Sequence, residues 1–152
     1  MKENLKFAFH IIFHPFDGFW DMTREKKGRL PVALSFIGLL VITNILSKQM
    51  TAFLFNPDKF NTVDVVYELL KIVIIYLLFC VANWSITTLM SGEGSFRDIL
   101  MTAGYAALPL SMLQLPAMLI SNVATFTEEV YIKALVVISW IWFFWLLFTG
   151  IM

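Results

Sequence analysis

Charge is scarce in this 152-residue chain. Asp, Glu, Lys and Arg together make up 14% of it, and the basic residues balance the acidic ones to a formal net charge of zero. A soluble domain carries about a quarter charged residues, so the shortage argues against an ordinary soluble globule. With a balance of zero, bulk charge says nothing about partners; no nucleic acid is expected among them. Cysteine occurs once, at Cys80, which excludes an intramolecular disulfide and a cysteine-based metal site. Cys80 lies in an apolar run and reads as a buried, unreactive thiol. A secretory leader is not expected, because His10, His14, Pro15 and Asp17 interrupt the first apolar stretch and no small-residue cleavage site follows. There is no internal repeat and no low-complexity tract. There is no Ser-His-Asp set, HExxH or nucleophile elbow either. The apolar stretches 30–47, 69–90 and 131–152 contain neither the Asp nor the His that an intramembrane protease needs on facing helices. Neither enzymatic activity nor a cofactor is expected.

Apolar residues are abundant instead: 59% of the chain is hydrophobic and 16% aromatic, with a mean hydropathy of +0.79. The expected fold is an all-α integral membrane bundle of about four helices, preceded by an amphipathic interfacial segment over 1–29. The spans are expected at about 30–47, 69–90, 98–123 and 131–152, each long enough at 1.5 Å per residue for a hydrocarbon core of ~30 Å.

In the N-terminal segment Leu5, Ala8, Phe9, Ile12 and Phe13 recur at the spacing of one helix face. Lys2, Lys6, His10 and His14 fall on another ridge. Beyond Pro15, Phe16, Phe19 and Trp20 group together, followed by Arg24, Lys26, Lys27 and Arg29. Such a piece is too short to span and suits the plane of an anionic bilayer surface. Alternatively, its basic residues serve only to orient the chain. Lys2, Lys6, Arg24, Lys26, Lys27, Arg29 and Arg97 fall on one side of a four-span layout, against Lys48, Lys59, Lys71 and Lys133 on the other. The richer side, with the N-terminus, is expected to be cytoplasmic.

Within the spans, Pro109 and Pro116 lie on nearly one face of the third. Each proline removes a helix hydrogen bond, from the carbonyls of Tyr105 and Met112 respectively. That span is expected to be kinked and packed inside the bundle, with Gln114 facing inward. Lys71 is expected to pair with Glu68 one turn away, and Lys133 with Glu129 at i, i+4. Trp140, Trp142 and Trp145 lie mid-span rather than at the headgroup belts. They pack either in the core or, through the ridge Trp140, Phe144 and Phe148, against another helix, another copy or a partner.

The polar island "SGEGSFRD", residues 91–98, admits two readings. Glycines beside Ser95 at a helix start suggest a phosphate cradle. Yet there is no preceding strand and no lysine, and Glu93 would repel an anion. Ser95 and Asp98 fit a capping box with Asp in place of Glu, and Gly92 and Gly94 suit a tight turn. His10 and His14 have the spacing of a helical metal pair, but Pro15 disfavours helical geometry at His14, and no third ligand is evident.

The stretch "GEGSFRDILMTAGYAALPL" resembles the central motif of the Yip domain family, small polytopic proteins named for interaction with Rab-type GTPases. Gly92, Gly94 and Phe96 match its turn, and Gly104, Tyr105 and Pro109 its Gly-Tyr…Pro element. "HPFDGFWDMTREKKG" is similar to the pre-membrane motif of the prokaryotic branch through His14, Pro15, Gly18, Phe19 and Trp20, and Ala82–Leu89 is similar to its second helix. The resemblance implies a non-enzymatic adaptor or organiser in a bacterial plasma membrane, working through helix–helix and bilayer contacts. The acidic-aromatic-Gly-Pro motif of the eukaryotic branch has no clear copy here. The family usually has five spans, so a C-terminally shortened chain is expected. The alternative is a small oligomeric transporter or channel component built on the proline-interrupted span.

Overall fold

The computed structural model describes residues 2–25, 28–50, 64–89, 95–124 and 128–152, with side chains from residue 6 onward. The Lys2 side chain and residues Lys26, Lys27, Gly92 and Gly94 lie outside what is described. The described residues are all-helical: α1 (Lys2–Phe13), α2 (Pro15–Arg24), α3 (Leu30–Met50), α4 (Val65–Leu89), α5 (Phe96–Ala106), α6 (Leu108–Ser121) and α7 (Glu129–Ile151). Four helical runs are long and apolar enough to cross a membrane: α3, α4, α5 with α6, and α7.

The second span begins four residues earlier than the hydropathy pattern suggests. The Asp64 carboxylate accepts from the backbone N–H of Val66 (3.0 Å) and Tyr67 (3.2 Å), so it caps α4. At the far end of α3, the Asn122 amide donates at 3.0 Å both to the Met50 carbonyl and to the Met118 carbonyl. It thereby satisfies carbonyls that two helix ends leave without an intrahelical donor.

The third span forms the centre of the bundle. Every residue from Met101 through Ser111 is buried. The expected proline kink appears as a one-residue interruption at Ala107 (φ −72°, ψ −13°), with Pro109 in the first turn of α6. The Ala107 N–H still donates to the Ala103 carbonyl at 3.2 Å, so the interruption is shallow. Pro116 sits inside α6. Helices α3 and α7 flank α6, while α5 touches α3, α4 and α7. Helix α4 is peripheral, attached through a small cluster of Cys80, Ile99 and Ala103. A Tyr76 hydroxyl that donates to the Leu100 carbonyl at 2.6 Å adds to that attachment.

Bilayer tails are as apolar as leucine, so these helices associate through close packing and not through exclusion of water. Gly104 meets that need. A Cβ placed there would lie 2.8 Å from both the Cβ and the carbonyl oxygen of Ala33, so α5 crosses α3 backbone to backbone.

The N-terminal segment differs from a purely surface-lying piece. Helices α1 and α2 form a hairpin whose inner face joins the main core: Ala8, Ile11, Ile12, Phe19 and Met22 cluster with Ala33, Phe36, Met101, Tyr105, Leu108 and Leu146. Ile11 points inward, while Phe9 and Phe13, expected on the same face as Ala8 and Ile12, are exposed. The break between the helices lies at His14 (φ −128°, ψ 71°), the non-helical geometry that a following proline imposes.

Candidate functional site

Of the family-type motif residues, Gly104, Tyr105 and Pro109 lie at or beside the joint between this hairpin and the third span, Gly18 lies within the hairpin, and His14 and Trp20 are exposed. Tyr105 is 1% exposed. Its ring meets Phe7 of α1 edge-on at 6.0 Å and Phe36 of α3 edge-on at 5.3 Å. One side chain thus ties α1, α3 and α5 together. Gly104 beside it permits the close α3–α5 crossing, and buried Pro109 opens α6 immediately after. Gly18 serves the hairpin itself: a Cβ there would lie 2.7 Å from Ile11 Cγ1 and 2.8 Å from Ile11 Cα, so α1 and α2 touch at that point. Pro15 is the first residue of α2 and His14 precedes it. Phe96 packs edge-on against Trp84 at 5.9 Å. Ala33 and Phe36, which complete this joint, carry no polar or turn signal that sequence reasoning could have used.

The Ser95 turn is a helix cap. The Ser95 Oγ accepts from the Asp98 N–H at 3.2 Å and donates to the Asp98 carboxylate at 2.6 Å. The Asp side chain therefore bonds the capping hydroxyl, where the longer Glu of a full capping box reaches the backbone.

The described members of the predicted membrane-surface set, Lys6, Arg24 and Arg29, are all exposed. The Arg24 guanidinium lies 5.2 Å above the Trp20 ring, a cation–π geometry. Phe9, Phe13, Phe16 and Trp20 are exposed as well, while Phe13 also leans on Trp142 of α7 at 6.3 Å. His10 and His14 stack at 5.4 Å, and among the described residues no His, Cys, Asp or Glu completes a metal-binding group with them. The ridge of Trp140, Phe144 and Phe148 is 44%, 59% and 67% exposed. Trp140 and Phe144 stack on each other at 5.9 Å, and the ridge faces outward from the bundle.

A cleft of about 480 Å³, largely apolar but edged by polar side chains, opens at the opposite end of the bundle. Asn44, Ser47 and Lys48 of α3, Gln114 of α6, and Glu129 and Lys133 of α7 line it, together with apolar residues that include Ala117, Ile132 and Val136. Lys133 pairs with Glu129 at 2.6 Å, as their spacing predicts. Glu68 does not take Lys71 of its own helix as its ion-pair partner. It pairs with Lys48 of α3 at 2.5 Å, and its side chain is only 7% exposed. Gln114 faces inward as expected. The signal for the α3 wall was present in Asn44, Ser47 and Lys48, polar residues at helical spacing near the end of a span.

The architecture is that of a polytopic helical membrane protein, with the Gly104–Tyr105 pair and Pro109 where an N-terminal hairpin meets a central broken span. The model of the Yip1 domain matches residues 9–152. The chain belongs to the Yip1 domain family. No curated protein and no solved structure matches it.

Proposed function

We propose that this chain is a non-enzymatic membrane adaptor or organiser of the prokaryotic Yip type, seated in a bacterial plasma membrane with its N-terminus in the cytoplasm. Its partners are the bilayer, anionic lipids in particular, and a membrane protein or second copy that meets Trp140, Phe144 and Phe148. The N-terminal hairpin carries this reading. Its inner face is locked to the bundle through Tyr105, while Phe9, Phe13, Phe16 and Trp20 point outward beside Lys6 and Arg24. Rings and cations together suit an anionic interface, and a hairpin fixed to the spans transmits what it touches to them. The excess of Lys and Arg on the N-terminal side supports the orientation.

Photo-crosslinking in native membranes tests the proposal. A photoreactive residue at Phe144 is expected to capture one species of defined mass, a partner or a second copy. One at Trp20 is expected to capture lipid, and anionic lipid preferentially. Absence of any protein adduct at Phe144 overturns the adaptor reading. Solute flux through liposomes that contain this chain alone would replace it with a transporter.

A further inference from the structure

We infer that the cleft between α3 and α7 is a binding site for a phospholipid headgroup carrying both a phosphate and an ammonium, of the phosphoethanolamine type. This site is independent of the surfaces on α1, α2 and the Trp140 ridge.

Charge composition selects the ligand. Two cations, Lys48 and Lys133, are each matched by a carboxylate, Glu68 and Glu129. Glu68 offsets Lys48 from α4, and Glu129 stands in the cleft wall itself beside Lys133, so a simple anion would meet a carboxylate with the lysines and a simple cation would meet the lysines with Glu129. A group that carries both charges satisfies both kinds of partner. The Lys133 Nζ has three donors, so its ion pair to Glu129 leaves capacity for a phosphate oxygen. The lipid's ammonium is then placed toward Glu129 at the mouth.

Depth and shape select a lipid over a free zwitterion. Helices α3 and α7 each pack along α6 and not along each other, so the cleft opens sideways between them. Lys48 lies near the end of α3 and Lys133 near the start of α7, while Gln114 is seven residues before the end of α6 at Ser121. At 1.5 Å per residue Gln114 lies about 10 Å inside its helix end, against about 3 Å for Lys48 and about 6 Å for Lys133, so it is about 4–7 Å deeper than the lysines, where the glycerol portion of a lipid lies when its phosphate is at the lysines. The Gln114 Oε1 is buried and accepts no hydrogen bond among the described residues. A buried polar atom in that condition is costly. A half-turn of the terminal torsion exchanges the donor and acceptor ends of the amide, so that its NH2 donates to a glycerol ester oxygen at that position. Apolar Ala117, Ile132 and Val136 in the wall suit the first methylenes of the chains.

Native mass spectrometry of the full-length protein in mild detergent tests the site. The protein is offered equimolar phosphatidylethanolamine and phosphatidylglycerol of the same chains. The expected result is one tightly held phosphatidylethanolamine, retained about tenfold over phosphatidylglycerol. Gln114→Leu and, separately, Lys133→Met are each expected to lower that retention about tenfold. Met112→Leu, on an exposed position of the same helix, is expected to leave it unchanged. Lys133 is largely exposed, so its variant keeps the test valid should Gln114→Leu fail to fold. Equal retention of the two lipids, or retention unchanged by Lys133→Met, overturns the proposal. Displacement of the lipid by soluble glycerophosphoethanolamine also overturns it and assigns the cleft to a free zwitterion.

Discussion

Glu68 of α4 and Lys48 of α3 form an ion pair at 2.5 Å that joins a peripheral span to the bundle. The carboxylate is nearly buried and the lysine is about one-third exposed. Removing the lysine strands a charge in an apolar setting, which is more damaging than removing both partners. Lys48→Met is expected to destabilise the protein by about 2 kcal/mol, below the full range for deeply buried pairs because water reaches the lysine. Lys48→Met with Glu68→Met is expected to recover more than half of that loss. Unfolding in mixed detergent, analysed as a double-mutant cycle, measures the coupling. Additive losses would show that the pair contributes nothing.

Gly104 and Gly38 both sit in membrane helices but differ in surroundings. A Cβ at Gly104 would collide with Ala33, whereas at Gly38 it meets nothing within 4 Å. Gly104→Ala is expected to force α3 and α5 apart at a cost of about 1–3 kcal/mol. Gly38→Ala is expected to be neutral, or to stabilise by up to about 1 kcal/mol through helix propensity. The same unfolding assay compares the two, and equal effects would refute the close crossing as a determinant of stability.

Pro109 denies the Tyr105 carbonyl its intrahelical donor at a point where the backbone is already close to helical. Pro109→Ala is expected to merge α5 and α6 into one helix without loss of folding. Amide hydrogen exchange across residues 106–110 is expected to slow by about tenfold or more, as a continuous ladder replaces the interruption. Unchanged exchange would mean that packing around Ala107, and not the proline, sets the break.

The excess of Lys and Arg on the N-terminal side predicts a cytoplasmic N-terminus, and four spans then place the C-terminus on the same side. A topology reporter fused after Met152 is expected to read cytoplasmic, as is one fused before Met1. A split result, inside at one end and outside at the other, would require that one of the four helical runs does not cross.

Much of this protein was legible from its residue order. Long apolar runs bounded by Lys48, Asp64 and Glu129 specify spans because a bilayer tolerates a backbone only when its polar groups are paired internally, as in a helix. The Glu129–Lys133 pair, the Ser95 cap and the break at His14 were equally readable, since each depends on residues within four positions of one another. The family motif could be read as a pattern, but its physical content could not. That Gly104 admits Ala33, that Tyr105 spans from Phe7 to Phe36, and that Ile11 turns inward while Phe13 stays out are all decided by contacts between distant segments. The preference of Glu68 for Lys48 over Lys71 belongs with these. Lys71, one turn away on the same helix, lies on its exposed side, while Glu68 is turned into the contact with α3. A lysine across a helix–helix contact reaches the buried carboxylate where the dielectric is lower and the attraction stronger. Periodicity records only which residues are apolar. In a chain that is apolar on nearly every side, only tertiary packing chooses which faces meet.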